Sequence, residues 1–170
     1  MLLLIWLVWW LGAAEVGVAA ESAHDLYEQG RFKEAMKRYN ELDMEHPKDL
    51  RYRYNRGCAA YQAGDYQSAA AAFSSVVRRL DAVGDSGGVS GRKLRSRAIY
   101  NLGNAAFQQG GYQTAVEYYK EALQSEETRP DARHNLELAL RRLKEKKEKE
   151  GESQDAQDGG QRPPEKKIGG

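Results

Sequence analysis

The chain is poor in the groups that staple or catalyse. Its 170 residues hold one cysteine, Cys58, so no internal disulfide forms, and no C-x-x-C or H-x-x-x-H spacing supplies a zinc ligand set. The three histidines, His24, His46 and His134, are scattered, and no nucleophile motif, phosphate loop or paired-carboxylate signature occurs, which argues against an enzyme and against a metal or other cofactor. Charge is nearly balanced, 26 Lys+Arg against 25 Asp+Glu, so the electrostatic footprint of a nucleic-acid binder is missing. All three tryptophans lie within the first ten positions, leaving the rest of the chain lean in large apolar side chains.

What the chain does have begins with an uninterrupted apolar block, LLLIWLVWWL at residues 2–11, continued weakly to Ala20 with one charge, Glu15. Its length suits a signal-peptide core and falls short of the roughly 20 residues a bilayer span needs. Small-residue cleavage sites follow Ala14 and Ala20. No Lys or Arg precedes the block, and Trp9 and Trp10 suit an interfacial anchor. Residues 1–20 are therefore expected to be a cleaved signal peptide or a retained membrane anchor, either of which places the remainder outside the cytoplasm or at the inner membrane.

Behind this segment the chain repeats itself. Gly30-Arg-Phe32-Lys-Glu-Ala35 with Tyr39 returns as Gly64-Asp-Tyr66-Gln-Ser-Ala69 with Phe73, and again as Gly110-Gly-Tyr112-Gln-Thr-Ala115 with Tyr119. A second marker, Tyr54-Asn55-Arg56-Gly57, Tyr100-Asn101-Leu102-Gly103 and His134-Asn135-Leu136, keeps the same phase. The period is 34 residues except between Gly64 and Gly110, where 12 more fall in a Gly/Ser-rich stretch at about 82–95.

These residues resemble the tetratricopeptide repeat, a helix-turn-helix unit that stacks on copies of itself. The resemblance implies an all-α fold, a right-handed superhelix of about three helix pairs plus a C-terminal capping helix. The repeat domain is expected over 16–146, with units at about 16–49, 50–83 and 96–129, an insertion at about 82–95 and a cap helix at 130–146. Counted back from Gly30, the first helix is expected to begin near Val16, which favours cleavage after Ala14.

The physical demands of such a stack match the residue types. Gly57 and Gly103 are small where paired helices cross, with Ala23 in the equivalent place of the first unit. Gly30, Gly64 and Gly110 fall between the helices of each pair, where a left-handed backbone costs glycine least. Ala35, Ala69 and Ala115 let the second helix lie close to the first, and the aromatics at 32, 39, 66, 73, 112 and 119 fill the seam. Ala132, Leu136, Ala139 and Leu143 form one apolar stripe on the last helix. Beyond it, residues 147–170 hold one Ile and no aromatic, and are expected to form a disordered charged tail.

In this repeat family the first helix of each pair lines a concave groove. The positions that face it are Tyr27 in the first unit; Arg51, Tyr54 and Tyr61 in the second; Arg97, Tyr100, Asn104 and Phe107 in the third; and His134 on the cap. Aromatics interleaved with amides suit an extended peptide, because rigid rings offer area at low entropy cost and amides satisfy a backbone. The centre of such a site is expected at Tyr54, Tyr61, Tyr100, Asn104 and Phe107. The same rings would serve equally well packed between repeats, so both roles stay open. Chaperone-docking members of the superfamily clamp a C-terminal carboxylate with Lys, Arg and Asn; here Asn55 matches one Asn, while the other positions read His24, Ala20, Arg97 and Asn101, of which only Arg97 keeps a cation. Asn55, Asn101 and Asn135 are expected to tie one repeat to the next.

The apolar start, the block AIYNLGNAAFQQGGYQTAVEYYKEAL at 98–123, the widened junction before it and DARHNLELALRRLKEK at 131–146 together look like the small repeat proteins of the bacterial Bat (aerotolerance) group. That resemblance implies a non-enzymatic, protein- or peptide-binding adaptor facing the periplasm or attached to the inner membrane. Its implied partners are membrane-anchored von Willebrand factor A-domain proteins and a MoxR-type ATPase, in stress tolerance. A self-associating structural envelope protein, hence a homo-oligomer, an envelope-assembly factor unrelated to that group, and a Cys58 thiol switch remain as alternatives.

Overall fold

The computed structural model describes residues 21–124 and 130–159. The apolar block, both cleavage sites and Ala20 lie outside the described residues, as does the end of the tail. Seven helices follow one another: α1 (Ala23–Glu28), α2 (Phe32–Glu45), α3 (Leu50–Gln62), α4 (Tyr66–Val83), α5 (Gly88–Gln108), α6 (Tyr112–Gln124) and α7 (Pro130–Gly159). Among the described residues there is no strand, and no helix is long and apolar enough to cross a membrane.

Each helix packs on the next, and α3 also touches α5, as α5 touches α7. No comparable contact joins α2 to α4 or α4 to α6. The first helices of the pairs thus converge while the second helices spread, which curves the stack into a superhelix with α3, α5 and α7 on its inner side.

The turns within the pairs are built three times over on one plan. Gly30, Gly64 and Gly110 take φ of 74°, 79° and 74°. At the first, the Gly30 N–H donates to Tyr27 O at 3.0 Å and the Arg31 N–H to Leu26 O at 2.9 Å, the paired bonds of a Schellman ending; Gly64 with Asp65 and Gly110 with Gly111 repeat them. An edge-to-face ring pair brackets each turn: Tyr27 with Phe32 at 5.4 Å, Tyr61 with Tyr66 at 5.3 Å, Phe107 with Tyr112 at 5.2 Å.

Close packing explains the small residues. Ala35, Ala69 and Ala115 are wholly buried. A Cβ on Gly57 would stand 2.7 Å from the Phe73 ring, and one on Gly103 would stand 2.5 Å from the Tyr119 ring. Three apolar clusters result: around Leu26 and Tyr39, around Phe73 and Val76, and around Ile99 and Tyr119. Ala132 and Ala139 of α7 are buried in the third, so α7 covers the open flank of the last pair as a cap.

Three boundaries differ from the sequence expectation. Helix α1 begins at Ala23, not near Val16, because Ser22 forms a reciprocal capping box with Asp25 that ends the helix there. The extra residues at 82–95 add little loop: α4 runs on to Val83, a 3₁₀ turn takes Gly84–Gly87, and α5 starts at Gly88, making α5 21 residues long against 13 for α3. Helix α7 continues through 147–159, which the sequence assigns to a disordered tail. Charge pairs where it leaves the stack, Arg142 with Glu145 at 3.1 Å and Lys144 with Glu148 at 3.7 Å, support the helix there.

One buried polar cluster has no counterpart in the sequence expectation. Asp43 on α2 is 5% exposed and accepts from Arg53 Nε at 2.9 Å, with Arg56 at 3.8 Å; Arg53 also donates to Ser75 Oγ at 3.1 Å. The cluster ties α2, α3 and α4 together across the junction of the first two pairs.

Candidate functional site

On the inner side of the superhelix, α3, α5, α6 and α7 enclose a pocket of about 340 Å³. Its lining is Tyr61, Tyr100, Asn104, Phe107, Gln108, Tyr119, Asn135 and Leu138. Four residues that the sequence places in the groove, Tyr61, Tyr100, Asn104 and Phe107, are thus brought together. Gln108, Tyr119, Asn135 and Leu138 complete the wall.

An amide-phenol ladder forms the floor. Asn101 Nδ2 donates to Tyr54 Oη at 2.9 Å, and one repeat on Asn135 Nδ2 donates to Tyr100 Oη at 2.9 Å. The rungs are linked through Asn104: its Oδ1 accepts from Tyr119 Oη at 2.9 Å and Asn135 Nδ2 at 3.1 Å, and its Nδ2 donates to Asn101 Oδ1 at 3.3 Å. Asn101 and Asn135 therefore do tie one repeat to the next. Tyr54 belongs to this ladder, with its ring 5.5 Å from Phe73, and stands beside the pocket. Cys58 Sγ is 4.0 Å from Asn101 Nδ2 in the same row.

Burial sets the chemistry here. It pushes the Tyr119 phenol far above its usual pKa, with Tyr100 and Tyr61 adding to the effect and a hydrogen bond with Asn135 opposing it. Tyr119 is 1% exposed and stays neutral, a fixed donor to Asn104 at every ordinary pH. The ladder holds the floor in one arrangement before any ligand arrives.

The remaining groove residues are placed elsewhere. Tyr27 packs against Phe32 at the first turn; burial raises its pKa, against a hydrogen bond with Gln62 that lowers it. Arg51 folds back on its own helix cap, gripping both carboxylate oxygens of Asp49 at 2.8 and 2.5 Å, and is outside the lining. Arg97 is half-buried and outside the lining, with a buried Nε that has no hydrogen-bond partner among the described residues. His134 is exposed on α7 beside Asn135, also outside the lining. Tyr61 and Phe107 pack at their turns and also line the pocket, while Tyr27 packs at its turn outside the lining.

A second hollow of about 420 Å³ opens among α2, α3 and α4, lined by Met36, Lys37, Asn40, Arg56, Ala60, Ser68 and Ala71. Arg56 there is already engaged by Asn40 and Asp43.

Comparison with known proteins gives two kinds of match. Models of the tetratricopeptide repeat match residues 21–83 and 96–128. Among solved structures, the TPR2AB-domain:pHSP90 complex of yeast Sti1 is similar at 29% identity and a TM-score of 0.60, over 74% of this chain and 46% of that one. The chain thus spans less than half the length of that solved chain. No curated protein matches.

Proposed function

We propose that this chain, which is built of tetratricopeptide repeats, is a non-enzymatic adaptor that holds a segment of a partner protein in its concave groove. One observation carries the reading: the inner helices of three successive units bring aromatic and amide side chains to a single pocket whose floor is fixed by hydrogen bonds. Rigid rings around placed polar groups are what a recognition site needs. The solved relative named above is a complex with pHSP90, which agrees with a protein or peptide as ligand.

The setting we infer is the bacterial envelope, with a von Willebrand factor A-domain membrane protein as the partner, served by a MoxR-type ATPase. The apolar block at 2–11 and the Bat-like segments at 98–123 and 131–146 support it. Ser22 bears on processing: cleavage after Ala20 would keep Glu21, which pairs with Arg31, and the capping box that starts α1. Cleavage after Ala20 therefore takes nothing from α1, and either small-residue site, Ala14 or Ala20, is compatible with the start of the helix.

Crosslinked affinity capture from the native membrane fraction tests both levels. The full chain should recover a von Willebrand-type membrane protein, and Tyr61→Ala/Phe107→Ala should lose it while keeping its helical circular dichroism. Recovery undiminished in the double variant would overturn the groove as the binding face. Recovery of unrelated proteins that depends on Tyr61 and Phe107 would keep the groove and remove the envelope setting.

A further inference from the structure

The groove reading leaves open what the pocket selects, and the geometry narrows it. We propose that the pocket receives one uncharged aromatic side chain that carries a hydrogen-bond donor, Tyr or Trp, from the partner segment, and rejects carboxylate and ammonium groups. The proposal rests on the groove being the binding face.

Size comes first. A volume of about 340 Å³ admits a phenol or indole ring with its Cβ, and is generous for a small amide or aliphatic group. The walls match a ring: Tyr61 and Phe107 come from two successive turns and Leu138 from the cap. Tyr61 and Phe107 are braced from behind by Tyr66 and Tyr112, so their orientation is set before a ligand enters.

Charge comes second. No Asp, Glu, Lys, Arg or His lines the pocket. A carboxylate or ammonium entering it would give up part of its hydration with no opposite charge to replace it. Arg97, the one cation on this face that matches a carboxylate-clamp position, lies outside the lining, and Arg51 is committed to Asp49.

Hydrogen bonding comes third and decides the donor. Asn135 Nδ2 donates to Tyr100 Oη and Asn104 Oδ1, its amide also bonds Tyr119, and Asn104 Oδ1 already accepts twice. Neither Asn135 Oδ1 nor the Gln108 carboxamide takes part in the bonds that make the ladder. Asn135 Oδ1 can only accept and so calls for a donor, a phenol O–H or an indole N–H, while the exposed Gln108 amide at the rim serves a donor or an acceptor alike. A carboxylate would set its own lone pairs against that oxygen.

The test uses the uniformly ¹⁵N-labelled full chain and Gly/Ser-flanked nonapeptides with a single central Trp, Tyr, Phe, Leu, Glu or Lys, followed by the side-chain amide resonances of Asn104, Asn135 and Gln108. The Trp and Tyr peptides should shift all three and bind about tenfold more tightly than the Glu and Lys peptides. Phe, lacking the donor, should fall between. Leu138→Trp, which fills the pocket from within, should abolish the shifts while the other amide resonances keep their dispersion.

Glu or Lys peptides binding as tightly as Trp would overturn the selection, leaving the groove intact. Aromatic peptides whose shifts fall on other residues, or no shift with any peptide, would overturn the pocket as the receiving site. The groove itself fails on a separate result, capture of the native partner that is indifferent to Tyr61→Ala/Phe107→Ala.

Discussion

Gly103→Ala is a change of one methyl group that the structure says the stack cannot absorb. A Cβ built there would lie 2.5, 2.7 and 3.1 Å from Cε1, Cδ1 and Cζ of Tyr119. Carbon pairs rest at about 3.5–4.0 Å, so the ring and helix α5 must part by roughly 1 Å. The ring has nowhere to go: it is 1% exposed, packs 5.9 Å from Tyr100, and is tethered through its hydroxyl to Asn104 at 2.9 Å. Overpacking of this kind costs up to about 3 kcal/mol. Replacing a mid-helix Gly by Ala returns about 1 kcal/mol, leaving a net loss of about 2 kcal/mol. Urea unfolding followed by circular dichroism should show the midpoint falling with an unchanged slope. Gly57→Ala should lose less, because its nearest approach, to Phe73, is 2.7 Å and Phe73 has no hydroxyl tether. In a Tyr119→Leu background the cost of Gly103→Ala should shrink, a coupling that only direct contact produces. A Gly103→Ala protein as stable as the parent would refute the close-crossing account.

Three further outcomes follow from the same coordinates. Asp43→Ala strands Arg53, whose side chain is 16% exposed, and should cost about 3 kcal/mol in urea unfolding, far more than a surface ion pair such as Arg142 with Glu145. Asp65 caps α4; its hydrogen bonds with Ser68, side-chain first, hold its carboxyl below the usual 3.8, so the charged form adds stability that is present above 3.8 and lost as pH falls through the lowered value. The stability gap between the parent and Asp65→Asn should accordingly be steady from pH 7 down to about 5 and close in stronger acid. Removing residues 147–170 should leave the unfolding midpoint unchanged, since the α7 residues of the third cluster are Ala132, Leu136 and Ala139, while lowering the helical signal.

Legibility tracked how local each determinant is. Gly30, Gly64 and Gly110 could be read because only a residue without Cβ takes φ near +75° at low cost and the turn recurs in phase. Gly57 and Gly103 could be read because a crossing demands a small residue at a fixed offset. Ser22 was hidden by the same logic: counting back from Gly30 supplies a start near Val16, whereas the capping box depends on the Ser22–Asp25 pair. The run 147–159 reads as disorder by composition, whereas α7 runs through it, with a charge pair, Lys144 with Glu148, at its start. The site divides in the same way. Tyr61, Tyr100, Asn104 and Phe107 follow from position in the repeat, while Tyr119, which the spacing assigns to the seam, reaches the pocket only through the direction of its hydroxyl. Arg51 stands outside the pocket lining, where Asp49, two residues away, claims it locally. The Asp43 cluster joins residues 10 and 22 positions apart on three helices and leaves no periodic trace.

The central claim is that the partner is held on the inner face. Site-specific photocrosslinking in living cells tests it most directly, with a benzophenone amino acid placed in the full chain at exposed Gln108 on the pocket rim or at exposed Ala71 beside the opposite hollow. A partner crosslinked from position 108 and not from position 71 is the predicted result. Crosslinks from position 71 alone, or from position 108 only to other copies of this chain, would contradict it.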